Sequence, residues 1–182
     1  MELRTDRLLL RLWDPDDPGD VEAAFDIYRR DEVARWLGAH PQPWESREQA
    51  RTRLERWQRT SAERPGRGLW AITVNKHDPP VGTALLVQLP DADGEPTNDI
   101  EIGWHLHPDH WGHGYATEAA QRLLDLAWEQ HVPEVNAVAH PGNDASIAVM
   151  RRLGMENQGL IDRWYGTTLE WWLLAAPLPP AA

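Results

Sequence analysis

Ile100-Glu101-Ile102-Gly103-Trp104-His105-Leu106-His107-Pro108-Asp109-His110-Trp111-Gly112-His113-Gly114-Tyr115-Ala116-Thr117-Glu118-Ala119-Ala120 reads as a strand, a loop and the start of a helix. Ile100, Ile102, Trp104 and Leu106 alternate with Glu101, Gly103, His105 and His107, the period of a strand with one packed face. Pro108 stops the ladder, having no amide hydrogen to donate. Past the loop, Ala116, Ala119, Ala120, Leu123, Leu124, Ala127 and Trp128 recur at the three-then-four spacing of one helix face. Gly112 and Gly114 lack a Cβ and so allow positive φ and close approach of another molecule to the backbone. A helix N-terminus leaves its first amides unpaired and carries partial positive charge, so this junction suits a phosphate or pyrophosphate.

Two familiar phosphate motifs do not fit. No Lys-Ser/Thr follows the glycines, as a nucleoside-triphosphate loop requires, and the third glycine of a dinucleotide fingerprint is missing. The run Trp111-Gly112-His113-Gly114-Tyr115-Ala116 instead resembles the pyrophosphate-binding loop of the GNAT N-acetyltransferases, usually written Gln/Arg-x-x-Gly-x-Gly/Ala, with Trp111 where Gln or Arg is commonest. Its continuation through Thr117-Glu118-Ala119 is most similar to the branch containing the ribosomal-protein N-terminal-alanine acetyltransferases. Ala139-His140-Pro141-Gly142-Asn143-Asp144-Ala145-Ser146 with Leu153-Gly154-Met155 resembles the family's second motif, Asn-x-x-Ser followed by Leu-Gly-(Met/Phe).

Composition narrows the chemistry. The 182 residues suit one domain with a real core, here taken as residues 1–176, followed by a Pro-rich tail over 177–182. No run is apolar and long enough to span a membrane, and Met1-Glu2-Leu3-Arg4 does not open a signal peptide, which points to the cytoplasm. Zero cysteines exclude a disulfide framework, a thiolate metal site and a cysteine nucleophile. Among eight histidines there is no His-x-x-x-His pair on one helix face, so no metal site is expected. A net charge of −11 argues against nucleic acid and is compatible with a cationic acceptor such as an amine.

Along the chain, Leu8, Leu10 and Leu12 alternate in a first strand. Asp20 is expected to cap a helix striped by Val21, Ala24, Phe25 and Tyr28. A short helical piece follows over 33–37, and Ser46 with Gln49 reads as a capping box for a helix carrying Ala50, Leu54 and Trp57. Strands are expected over 70–74 and 81–87, an acidic loop-like insert over 90–99, and a strand over 135–139. Asn143 or Asp144 caps the next helix and Gly154 ends it; strands over 155–161 and 168–174 then form a hairpin around Arg163-Trp164-Tyr165-Gly166. This order defines an α/β (α+β) domain. The resemblance adds a mixed, mostly antiparallel sheet of about seven strands flanked by helices, its central strands splayed to form an acyl-CoA cleft.

The resemblance also implies roles. His105, Leu106 and His107 offer main-chain groups to the pantetheine arm, while Trp111, Gly112, His113, Gly114, Tyr115, Ala116 and Thr117 hold the pyrophosphate. Asn143 contacts the pantetheine and Ser146 approaches the thioester sulfur; both residue types also serve as helix caps. The implied cosubstrate is acetyl-CoA, with succinyl-CoA or another acyl-CoA open, and the partner is an amine acceptor. A primary amine is mostly protonated at pH 7, so a base must take its proton. Glu101 and His105 are the two candidates, and Ser146 or Tyr165 the acid for the departing thiolate. A homodimer follows from family habit. A non-catalytic CoA-binding domain is the rival reading. Trp104, Trp128, Trp171 and Trp172 are expected in the core, and Trp36 and Trp44 near the acceptor.

Overall fold

The computed structural model describes residues 2–39 and 41–177. The remainder of the Pro-rich tail lies outside the described residues. An eight-stranded sheet runs in the order β1-β2-β3-β4-β5-β6-β8-β7, where β1 is Glu2–Arg4, β2 Leu9–Leu12, β3 Gly68–Thr73, β4 Gly82–Pro90, β5 Pro96–Leu106, β6 Glu134–Ala139, β7 Glu156–Ile161 and β8 Leu169–Ala175. The helices are α1 (Pro18–Tyr28), α2 (Asp31–Ala34), α3 (Arg47–Glu63), α4 (Tyr115–Glu129) and α5 (Asp144–Arg152). All neighbouring strands are antiparallel except β5 and β6, which are parallel and joined through α4.

The period of two sorts side chains onto two layers. On β3, Trp70 and Ile72 belong to the large core under α4 and α5, whereas Ala71 faces a second core built by Trp13, Val21, Ala24, Ile27 and Tyr28 with Leu54 of α3. On β5, Ile102, Trp104 and Leu106 join the large core. Glu101, Gly103 and His105 therefore point to the α1 side. The apolar stripe of α4 is buried as its spacing predicts, with Leu126 added and Trp128 half-buried at its end.

Several expectations need correction. The strand β1 was too short to show a period, yet Leu3 pairs with Leu10 and extends the sheet to eight. Asp20 does not cap α1. Asp17 does, accepting from the Gly19 amide at 2.7 Å, while Asp20 is buried inside the first turn and takes both Arg11 nitrogens at 2.6 Å. Half of the 90–99 insert is strand. β4 runs to Pro90 and β5 starts at Pro96, and the Asp91 carboxylate closes the hairpin by accepting from the Asp93 and Glu95 amides, both at 2.9 Å. The capping box at Ser46 forms as expected, except that Gln49 reaches back to the Glu45 amide instead of Ser46.

The parallel junction positions the site. β5 and β6 share one registered pair, Glu101 with Asn136. Beyond it the strands diverge, and the buried Asn136 side chain spans the join: its Nδ2 donates to Ile100 O at 3.2 Å and its Oδ1 accepts from Trp171 Nε1 at 2.8 Å.

Candidate active site

The divergence of β5 from β6 opens a cavity of about 660 Å³, bounded also by α2, the loop before α4, and α5. Glu101, His105, Leu106, Trp111, Gly112, Gly114, Tyr115, Ala116, Thr117, Asn143 and Ser146 all line it. His107 and His113 do not. The His107 amide donates to Val81 O at 2.9 Å, and its ring bridges Asp26, 3.1 Å from Nε2, and the Asp109 amide, which donates to Nδ1 at 3.2 Å. His113 is exposed and stacked on Tyr115, with ring centroids 5.4 Å apart.

Because successive strand residues address opposite neighbours, the His107–Val81 bond assigns the odd-numbered main-chain groups of β5 to β4. The groups that face the cavity are those of Ile102, Trp104 and Leu106. Leu106 O is already engaged by the Trp111 indole, which donates from Nε1 at 2.9 Å. Trp111 thus folds back on the end of β5, although 44% of its surface stays exposed.

The loop forms an open cradle. Gly112 and Gly114 have φ of 79° and 80°, a conformation that disfavours side chains, and a Cβ on Gly112 meets no atom within 4 Å. Gly114 is the N-cap of α4, so the first amides of a fifteen-residue helix point out of this loop. The first-turn carboxylate, Glu118, does not oppose an anion there. Arg7 donates to it through Nε at 2.7 Å and through its amide at 2.9 Å, and Thr5 Oγ1 adds a third bond at 2.5 Å. Burial acts to raise the Glu118 carboxyl, but these donors hold it below its ordinary range. The first amides of α4 and the free edge of β5 are thus the open main-chain groups of the cavity.

At the other end of the cavity lies Glu101, 7% exposed. Burial raises its carboxyl to about 7, against the pull of a hydrogen bond from Tyr165 Oη at 2.5 Å. His105, two residues on, is pushed the other way: loss of water lowers its imidazole to about 4. Its Nδ1 lies 3.1 Å from Tyr28 Oη, which donates to Thr83 Oγ1 at 2.7 Å. Tyr28, stacked on Trp44 at 4.4 Å and edge-on to Trp57, anchors that side. Trp36 lines the cavity, whereas Trp44 packs behind Tyr28. Asn143 caps α5 through Oδ1, which accepts from the Ser146 amide at 3.3 Å.

No sequence pattern placed Arg7, Tyr28, Thr83 or Asn136 in this region, and Tyr165 was a candidate acid for the thiolate with no position assigned, by default a turn aromatic. Each reaches the site from a distant segment, and no local pattern marks such a contact.

Among the described residues no group of three His, Cys, Asp or Glu side chains could hold a metal, and no helix is long and apolar enough to cross a membrane.

A glycine cradle at a helix end, opening on a splayed parallel junction, defines a class, and residues 7–156 match the family model described as an acetyltransferase (GNAT) domain. The chain belongs to the GNAT acetyltransferase family, whose members use acetyl-CoA, and it is an N-acetyltransferase of that family. It is 27% identical to the uncharacterized N-acetyltransferase YoaA of Bacillus subtilis (strain 168) over 164 residues, 89% of this chain and 86% of that one. An acetyltransferase structure from Agrobacterium tumefaciens str. C58 superposes with a TM-score of 0.76 at 25% identity, covering 97% of this chain and 95% of the other. RimL, the ribosomal L7/L12 alpha-N-protein acetyltransferase solved in complex with coenzyme A, shares the fold with a TM-score of 0.76 at 16% identity, over 96% of this chain and 98% of that one.

Proposed function

We propose that residues 1–176 form one acyltransferase domain that moves an acetyl group from acetyl-CoA to a primary amine, a protein N-terminus or a small-molecule amine, by direct attack. The observation that carries this is Glu101: a buried carboxyl titrating near neutrality on the same cavity as the glycine cradle of α4. Acetyl-CoA, when bound, supplies a thioester whose carbonyl carbon accepts the amine and whose sulfur departs as thiol. The first amides of α4, with Thr117, hold the pyrophosphate. Main-chain groups of Ile102, Trp104 and Leu106 align the pantetheine, and the Asn143 amide nitrogen, free of the capping bond, contacts it from α5.

Glu101 takes the proton that the amine loses as the new C–N bond forms. A base titrating near the working pH is matched to that task, whereas a histidine lowered to about 4 is a weak acceptor. Glu101 is therefore preferred to His105. Ser146, on the cavity wall, passes its hydroxyl proton to the sulfur as the C–S bond breaks and takes one back from solvent. With no cysteine in the chain, no acyl-cysteine is formed on the way.

Thiol release from acetyl-CoA and succinyl-CoA over a panel of amines and N-terminal peptides tests this. Acceptor-dependent release whose kcat/KM rises through about pH 7, lost in Glu101→Gln, is expected. Binding of CoA with no release on any acceptor identifies a binding domain instead.

A further inference from the structure

Tyr165 has φ of 58°, in the left-handed region that a bulky side chain rarely occupies. Its neighbours hold it there. Trp164 is fully buried and donates from Nε1 to Asp99 Oδ2 at 3.0 Å; Arg163 donates to the same oxygen at 2.5 Å and stacks over the Trp164 ring at 4.3 Å. Asp91, from the β4–β5 turn, bridges to Trp164. Asp99 and Glu101 lie on one face of β5, two residues apart. Three consecutive residues of the β7–β8 hairpin thus clip onto consecutive acidic positions of β5, and the third places the Tyr165 hydroxyl 2.5 Å from Glu101 Oε2.

Among the described residues this phenol is the one donor that reaches the Glu101 carboxylate, which leaves Oε1 free for the acceptor or a water. We propose that Tyr165 is a positioning residue for Glu101: it fixes the carboxylate's orientation toward the cavity and biases it toward the charged form. The inference rests on the reading of Glu101 as the base.

The phenol stays protonated, because burial and the adjacent carboxylate raise it well above its usual range, so it remains a donor at every working pH. The other groups around Glu101 do not substitute for it. Val87 opposes it from β4, and Asn136 from β6 is committed to Ile100 and Trp171. His105 lies further along the same face of β5. Across the cavity, α2 brings Glu32, its C-cap brings Arg35, and α5 brings Asp144 and Arg152, none paired with Glu101.

The test is a pH titration of the Glu101 carboxyl by 13C NMR, with no acceptor present, in the wild type and in Tyr165→Phe. Losing one hydrogen bond to a charged acceptor is expected to move that titration up by about one unit. The acid limb of kcat/KM is expected to follow by the same amount, with KM for acetyl-CoA unchanged. Tyr165→Gly, which removes the phenol while suiting the positive φ, gives the same reading if the Phe variant does not fold. An unmoved titration in a folded variant overturns the proposal. A titration that moves while the kinetic limb stays in place upholds the role of Tyr165 and removes Glu101 as the base.

Discussion

The Arg7 guanidinium and the Glu118 carboxylate, 111 residues apart in sequence, meet at 2.6 Å at the mouth of the glycine cradle. Arg7 also donates to His113 O at 3.0 Å and lies over the Tyr115 ring at 5.0 Å. One cation from the β1–β2 turn therefore ties together the loop, the first helical residue and the first-turn carboxylate of α4. Glu118→Ala is expected to cost about 1–2 kcal/mol, since the acceptor of three bonds is lost from a pair open to water on one side. Calorimetric binding of CoA should weaken in Glu118→Ala and in Arg7→Ala, and the double variant should be no worse than the sum of the two. A Glu118→Ala protein of unchanged stability and CoA affinity would reduce the pair to a surface contact.

Gly112 and Gly114 separate strain from occupancy. Alanine at either position meets a left-handed backbone, which costs about 1–2 kcal/mol. At Gly112 the new Cβ enters open space on the cavity wall, and at Gly114 it comes to 3.4 Å from Arg7 Nη2. Both alanine variants should fold, as circular dichroism would show, and lose at least about tenfold in CoA affinity, near the 1.4 kcal/mol that corresponds to tenfold. Unchanged CoA binding in both variants would contradict the assigned cradle.

Asn136 holds the point where β5 and β6 part. Asn136→Ala leaves Ile100 O and the Trp171 indole unpaired, an expected loss of about 2–3 kcal/mol in urea unfolding. KM for acetyl-CoA should rise with it, because the cavity edge is no longer fixed. Full stability in this variant would mean that water replaces both bonds.

Two titratable groups on β5 that lose water on folding give opposite pH signatures of stability. Glu101 rises from 4.5 to about 7, so the native protein keeps a proton that the unfolded chain has released, and stability falls as pH increases from 4.5 to 7. His105 falls from 6.5 to about 4, so the unfolded chain binds its proton first, and stability falls as pH drops from 6.5 to 4. Glu101→Gln removes the first effect alone. Relative to the wild type it should gain stability between pH 5 and pH 8, by no more than about 3 kcal/mol. A difference independent of pH in urea denaturation would show that Glu101 does not titrate in this window.

In turnover, Glu101→Gln should lower kcat about a hundredfold or more, in the range expected for loss of a general base. His105→Gln should leave the pH dependence near 7 in place. If the limb instead disappears with His105→Gln, the two assignments exchange.

The periodic elements were legible. The alternation from Ile100 to Leu106 and the stripe from Ala116 to Trp128 report burial on one face, and burial is what the fold imposes on each residue locally. The glycine pair was legible too, because positive φ is a property of one backbone position. Asp20 misled because an acidic residue near a helix start has two uses, capping and pairing, and the half-buried Arg11 that decides between them lies on β2, outside the helix.

The sequence by itself determined the order of elements from β2 onward, the glycine pair before α4 and the presence of Glu101 on the polar face of its strand. Only the tertiary structure decided which carboxylates meet Arg7 and Tyr165, which backbone edge of β5 is free, and that burial raises Glu101 while lowering His105. Local patterns depend on geometry repeated every two or three to four residues. Ion pairs, strand divergence and the loss of water depend on segments brought together across the whole chain, where no period links one partner to the other.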